Sequence, residues 1–272
     1  DTGDMSTVHV SDDGQLFAYV RGQEVWTVRM DGTDARLVDT QTSESGKPLP
    51  APYNALLTVS TSDHIDVVDL SAGSKTTVVT YPIIPDGYAP EVIWMPDSSG
   101  FKTVIPPPTE SGQAEMLYVF PDGTVASLAK FAMVSSLDAP YYFSPDGGYV
   151  IYTEKLNDGR ESLYVMDSSG ANRPYGEPGE SVRAYGWFPH SNSFAYGWKG
   201  TTRLFLGQVG SSPIEIDMAL PENLRWVDAS HYVAIRSGEF IWGDLDGATL
   251  VIDSTVTDFD ILVGLIQSSN NL

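Results

Sequence analysis

The stretch APYYFSPDGGYVIYTEKLNDGRESLYVMDSSGANRPY, Ala139 to Tyr175, decides the fold. YYFS reads as a strand and SPDGG as the turn that reverses it. YVIYTEKL is a second strand and NDGRE a second turn. SLYVMD is a third strand, SSGA turns again, and NRPY begins a fourth. Tyr, Val and Ile favour the pleated, half-buried surface of a sheet. Pro presets φ, Asp bonds the local backbone, and Gly supplies a positive φ, so each punctuating segment has a turn mechanism. The segment therefore predicts one four-stranded antiparallel sheet.

Two turn markers carry the pattern along the chain. The first follows an opening strand, in VSDDG (Val10–Gly14), WMPDSSG (Trp94–Gly100), FSPDGG (Phe143–Gly148), WFPHSNS (Trp187–Ser193) and WVDASH (Trp226–His231). The residues before the turns, Val10, Trp94, Phe143, Trp187 and Trp226, stand 84, 49, 44 and 39 residues apart. The double first interval predicts a degenerate unit near APYNALLTVSTSDHIDVVDL, with strands at Ala55–Thr61 and His64–Leu70 and a poorly marked first strand in KPLPAPY. The second marker follows the third strand, at Asp31-Gly32, Ala72-Gly73, Asp122-Gly123, Ser169-Gly170, Val209-Gly210 and Asp246-Gly247. Six four-stranded units with a period of roughly 40–50 residues are the signature of a propeller. The predicted fold is an all-β, six-bladed β-propeller of four-stranded antiparallel blades, one domain over residues 1–272. The blades are expected near 6–40, 41–82, 83–132, 133–178, 179–219 and 220–256. Residues 257–272 are expected to add a closing strand or a docking tail.

Composition bounds the function. The 272 residues carry a net charge of −21, with 15 basic side chains against 36 acidic ones. Such a surface repels phosphate backbones and anionic headgroups, so neither nucleic acid nor an anionic membrane is an expected partner. No apolar run reaches the ~18 residues of a membrane span. Cysteine is absent, which removes disulfides, thiolate metal sites and Cys nucleophiles. The chain opens DTGDMST, already polar, so either the protein is cytosolic or a signal or anchor precedes Asp1.

FSPDGGYVIYTEKLNDGRESLYVMDSSGANRPY resembles the repeat of TolB-type β-propellers, with its (W/F)SPDG turn, a DG turn, an (I/L)Y(V)xD strand and a small-residue-Gly turn. VSDDGQLFAYVRGQEVWTVRMDGTDARLV is a second good copy. The other four are partial: WFPHSN carries His190 where the family has Asp, and WVDASH lacks the Pro. The resemblance implies a six-bladed propeller over roughly 250 residues at the repeat level. It also implies a class of function, binding in the ring's channel or on its faces, commonly in an extracytoplasmic setting. It carries over no catalytic residue, since the repeat motif is structural. Nothing in the chain corresponds to the N-terminal domain of TolB or to the hydrolase domain of propeller peptidases.

No nucleophile elbow, phosphate loop, zinc motif or EF-hand run is present. The four histidines, His9, His64, His190 and His231, are scattered. His9 alternates with Val8 and Val10 on an innermost strand, and His190 and His231 fall in turns. A divalent metal in the channel would draw on Glu91, Asn223 and His9, and oxygen ligands such as the first two offer suit a hard cation such as calcium. The inner strands of blades four to six read APYYFS, VRAYGWFP and NLRWVD and gather Tyr141, Tyr142, Arg183, Tyr185, Arg225 and Trp226. Arginine's fork of donors suits a carboxylate. Tyr142, Arg183, Tyr185, Arg225 and His9 are thus the candidate ligand-binding residues at the channel mouth; the alternative is that the aromatics pack between blades and the arginines pair with neighbouring carboxylates. The function expected is a non-catalytic, extracytoplasmic propeller that binds a protein partner or serves a larger assembly, with no cofactor. The alternatives are a lyase- or hydrolase-type propeller enzyme with a channel metal, and a sensor taking a small ligand or peptide.

Overall fold

A computed structural model describes residues 5–11, 14–40, 47–83, 89–107, 112–132, 141–198, 203–216, 223–245 and 248–254. The fold is a six-bladed β-propeller of four-stranded antiparallel blades. Blade one holds β1–β4 (Met5–Val10, Leu16–Arg21, Glu24–Arg29, Arg36–Thr40) and blade two β5–β8 (Lys47–Pro50, Leu56–Ser60, His64–Asp69, Ser74–Thr80). Blade three holds β9–β12 (Val92–Trp94, Phe101–Ile105, Ala114–Val119, Val125–Phe131) and blade four β13–β16 (Tyr142–Phe143, Tyr149–Lys155, Glu161–Asp167, Asn172–Gly179). Blade five holds β17–β20 (Val182–Trp187, Ser193–Trp198, Leu204–Gln208, Ile214–Ile216) and blade six β21–β24 (Asn223–Trp226, His231–Arg236, Glu239–Asp244, Thr249–Asp253). In every blade the strands pair in chain order. Blades one to three form one compact unit and blades four to six another. The Asp246-Gly247 turn, the tip of the Pro106–Gly112 loop and residues 257–272 lie outside the described residues.

The turns of blade four show why the punctuation works. Ser144 N–H donates to Tyr149 O, Gly147 N–H to Ser144 O, and the Asp146 carboxylate accepts from Gly148 N–H at 2.9 Å. The same device recurs: Asp31, Asp69, Asp97, Asp122, Asp158, Asp167 and Asp228 each accept from the N–H two residues on. A side-chain bond from that same residue is the larger influence at Asp31, Asp69, Asp97, Asp158 and Asp167, and with the N–H bonds it stabilises the ionised form; all seven carboxyls lie below their ordinary value. The weakly marked first strand of blade two is real. β5 contains Pro48 and Pro50, which lack a donor, and it pairs on one side only, with β6.

Burial grades across each blade. The second strands β6, β10, β14, β18 and β22 carry nearly continuous buried runs, as strands covered on both faces must. The fourth strands β8, β16 and β24 are mostly exposed. Within the first unit, Val20 and Val25 pack on Leu57 and Val68, while Ile65 and Val67 pack on Trp94 and Phe101. Within the second, Ile151 and Leu163 pack on Trp187 and Phe194, and Ala195 and Leu204 on Leu224 and Trp226. Blades five and six share a further device. Phe194 lies across the ladder from Gly207, and Tyr232 from Gly243. A Cβ on Gly207 would sit 2.3 Å from the Phe194 ring, so the ring occupies the space a side chain would need.

Candidate functional site

The tryptophans before the turns join blades through main-chain acceptors. Trp94 Nε1 donates to Leu49 O at 3.1 Å, and Trp187 Nε1 donates to Tyr142 O at 2.9 Å. Each bond reaches the first strand of the preceding blade. Trp226 breaks the rule. It is as buried as the others, 4% exposed against 5% and 8%, yet its Nε1 has no partner. The cause lies in β17. Its pairing with β18 jumps from Ala184↔Tyr196 to Trp187↔Phe194, one residue more on β17 than on β18, with Gly186 at φ 83°. By alignment on the turn, Gly186 holds the position of Tyr142, whose carbonyl serves Trp187. A bulge redirects the local backbone, and at this position Trp226 has no acceptor among the described residues.

The three first strands of this unit are neighbours, β13 beside β17 and β17 beside β21. They carry Tyr142, Arg183 and Tyr185, and Arg225. Tyr142 is half-buried in the blade four–five core. Tyr185 is buried, and burial pushes its hydroxyl pKa up against the opposing pull of Arg183. Arg183 is exposed and lies over the Tyr185 ring, 5.4 Å from guanidinium carbon to centroid. Among the described residues no carboxylate pairs with it. Arg225 is half-buried and donates from Nη1 to its neighbour's carbonyl, Leu224 O, at 3.1 Å. The structure thus brings Arg183 and Tyr185 together and sets Arg225 on the adjoining strand.

His9 sits in β1 opposite Ala18, half-buried. Glu91 precedes β9, and its main-chain O accepts from the Thr103 hydroxyl at 2.8 Å. Asn223 opens β21 opposite Ile235. Among the described residues no group of three His, Cys, Asp or Glu is arranged to hold a metal ion. His190 is an exposed turn residue at φ 55°. His231 is not in the turn but opens β22. Its Nδ1 lies 2.8 Å from Asp228 and its ring 5.6 Å from that of Trp242. Burial raises the Asp228 pKa most among single influences, but the bonds from Ser230 and His231 together outweigh it and hold the carboxyl at about 2.

Sequence reading passed over a charged cluster in blade two. His64 lies 2.6 Å from Asp63 through Nδ1 and 3.4 Å from Asp66 through Nε2. Asp66 is buried, accepts from the Thr77 hydroxyl at 2.6 Å and lies 3.4 Å from Lys75 Nζ, which also meets Asp39 of blade one at 2.8 Å. The bond from His64 is the main cause holding Asp63 below its usual range, and the bond to Asp39 the main cause raising Lys75. A groove of about 500 Å³ runs alongside, lined by Asp63, His64, Thr77, Thr80, Tyr81, Pro82 and Ile83. Every charged group of the cluster is engaged within the protein, so it braces blade one against blade two. The register of β7 on β8, Asp66↔Thr77, brings the blade-two members together, and Lys75 reaches Asp39 on β4.

No family model matches the sequence, and no curated protein matches it. Solved structures do match. An oligogalacturonate lyase from Vibrio parahaemolyticus is 13% identical, with a TM-score of 0.64, over 95% of this chain and 79% of that one. TolB from Acinetobacter baumannii is 14% identical, with a TM-score of 0.53, over 93% of this chain and 63% of that one. A chain of a mitotic checkpoint complex is 15% identical, with a TM-score of 0.59, over 94% of this chain and 79% of that one. The likeness at this identity is one of fold: the chain is a six-bladed β-propeller of the kind to which TolB is similar.

Proposed function

We propose that the chain is a non-catalytic propeller that binds another protein outside the cytoplasm, as a module or subunit of a larger assembly. The observation that carries this is the contiguous apolar run Leu250, Val251 and Ile252 along β24, exposed beside Trp242 on a strongly acidic chain. A propeller chain from a mitotic checkpoint complex shares the fold, and the repeat resembles that of a family common outside the cytoplasm. No helix among the described residues is long and apolar enough to cross a membrane. Affinity purification at native abundance, read by native mass spectrometry, tests the reading. A stoichiometric protein partner is expected, and recovery of monomer alone overturns it. Fractionation of the source cell tests the compartment.

A second reading has its own observation: Arg183 is exposed over Tyr185 without a carboxylate partner among the described residues. That arrangement suits a small ligand or peptide bearing a carboxylate. Arg183→Ala and Arg225→Ala should each weaken such binding without lowering expression.

A further inference from the structure

The outer edges of the blades are defended unequally. Among the described residues a fourth strand has one neighbour, and an edge of that kind offers unpaired N–H and C=O groups to a passing strand. In blade one, Arg36 of β4 donates to Leu70 O of blade two, and Asp39 pairs with Lys75. β8 carries that lysine. β12 carries Lys130, paired with Glu115. β16 contains Pro174 and Pro178. β20 has three residues and a Glu215–Arg203 pair. β24 has five residues, TLVID, without lysine or proline. Leu250, Val251 and Ile252 are 66%, 49% and 52% exposed, and Leu250 stands across the ladder from the half-exposed Trp242. A bulge between Val251 and Asp253 interrupts the pairing of β24 with β23, and the residues of β24 that do not bond to β23 turn their main-chain groups to the outer edge.

We infer that β24 is a docking edge for an extended, basic segment of another protein, which adds to blade six as a fifth strand. Charge selects the occupant. Asp244 lies beside the start of β24, on a chain of net charge −21. A second copy would bring the same charge to the edge. A segment that alternates Val or Ile with Lys or Arg meets the apolar row and complements that charge. This rests on the protein-binding reading and names its surface.

The test uses the full chain with three nonapeptides: basic KTVRVTVKT, acidic ETVEVTVET, and the basic peptide with alternate amides N-methylated. The basic peptide should bind, and the other two should bind at least about tenfold more weakly, a loss of about 1.4 kcal/mol. Those amides of 249–253 that do not bond to β23 should exchange rapidly in the free protein and at least about tenfold more slowly with the basic peptide bound. Val251→Pro, and the gentler Leu250→Thr/Ile252→Thr double variant, should each weaken binding by a similar factor. Equal binding of basic and acidic peptides overturns the inference. So does slow exchange, in the free chain, of the 249–253 amides that do not bond to β23, which would mean that its own residues cover the edge. A reversible dimer dissolved by Val251→Pro would make a second copy the occupant. If a co-purified partner leaves exchange at 249–253 unchanged, this inference fails and the protein-binding reading stands.

Discussion

Replacing each blade-joining tryptophan by phenylalanine should give unequal losses. Trp94, Trp187 and Trp226 are all buried, so each change removes a similar part of an indole from a packed core. That common loss amounts to about 1–2 kcal/mol. In Trp187→Phe a hydrogen bond of 2.9 Å also disappears, and its net contribution is about 1 kcal/mol. Trp94→Phe loses a bond of the same kind, while Leu49 O keeps the Thr58 hydroxyl as a donor at 3.2 Å. Trp226→Phe removes a buried N–H that has no partner. An unsatisfied donor already costs the folded state about 1–3 kcal/mol, so its removal offsets the packing loss. Trp226→Phe should therefore be near neutral, and Trp187→Phe less stable than it by about 2–3 kcal/mol. Equilibrium urea unfolding measures this from midpoints at unchanged m-value. The same gap should appear as about 5–10 °C in melting temperature. If the two variants are destabilised equally, within about 0.5 kcal/mol, the bulge does not orphan Trp226 and the account is wrong.

Other outcomes follow from the same geometry. The seven turn aspartates have folded pKa values below the unfolded 3.8. Depressed carboxylates contribute stability that is full above about pH 4 and lost as pH falls through the folded values, so urea midpoints should drop between about pH 4 and pH 2. Asp228→Asn should flatten the lower part of that fall. Gly207→Ala would force its Cβ against the Phe194 ring and should cost about 2–3 kcal/mol, measured by thermal unfolding. Lys75→Met leaves Asp39 and the buried Asp66 short of their cation. After discounting for the half-exposed lysine, a loss of about 1–2 kcal/mol in urea unfolding is expected.

The blades were legible because strand and turn chemistry are local. Val, Ile and Tyr at alternating positions and Asp-Gly between them mark strand ends without any knowledge of the partner strand. What escaped needed information from elsewhere. Residues 47–50 look like linker because proline usually ends a ladder, and only their position on a one-sided strand makes them compatible with pairing. The bulge in β17 shows in the sequence as a single glycine within RAYGWFP, a signal that also fits an ordinary strand. The Asp63–His64–Asp66–Lys75 cluster is written in DHIDVVDLSAGSK, but the alignment of β7 on β8 decides which of those charges meet. Arg183 and Tyr185, two apart on a strand, could be placed on one face in advance. That no carboxylate among the described residues pairs with Arg183 could not be foreseen.

The tryptophan bonds between blades have a consequence for how such a chain diversifies. Their acceptors are main-chain carbonyls, at Leu49 in one case and Tyr142 in the other. A carbonyl is present whatever side chain occupies the position, so the latch makes no demand on residue identity there. The framework's alignment and the chemistry of the first strands are thereby uncoupled. One can be held constant over long times while the other is rewritten for a new ligand.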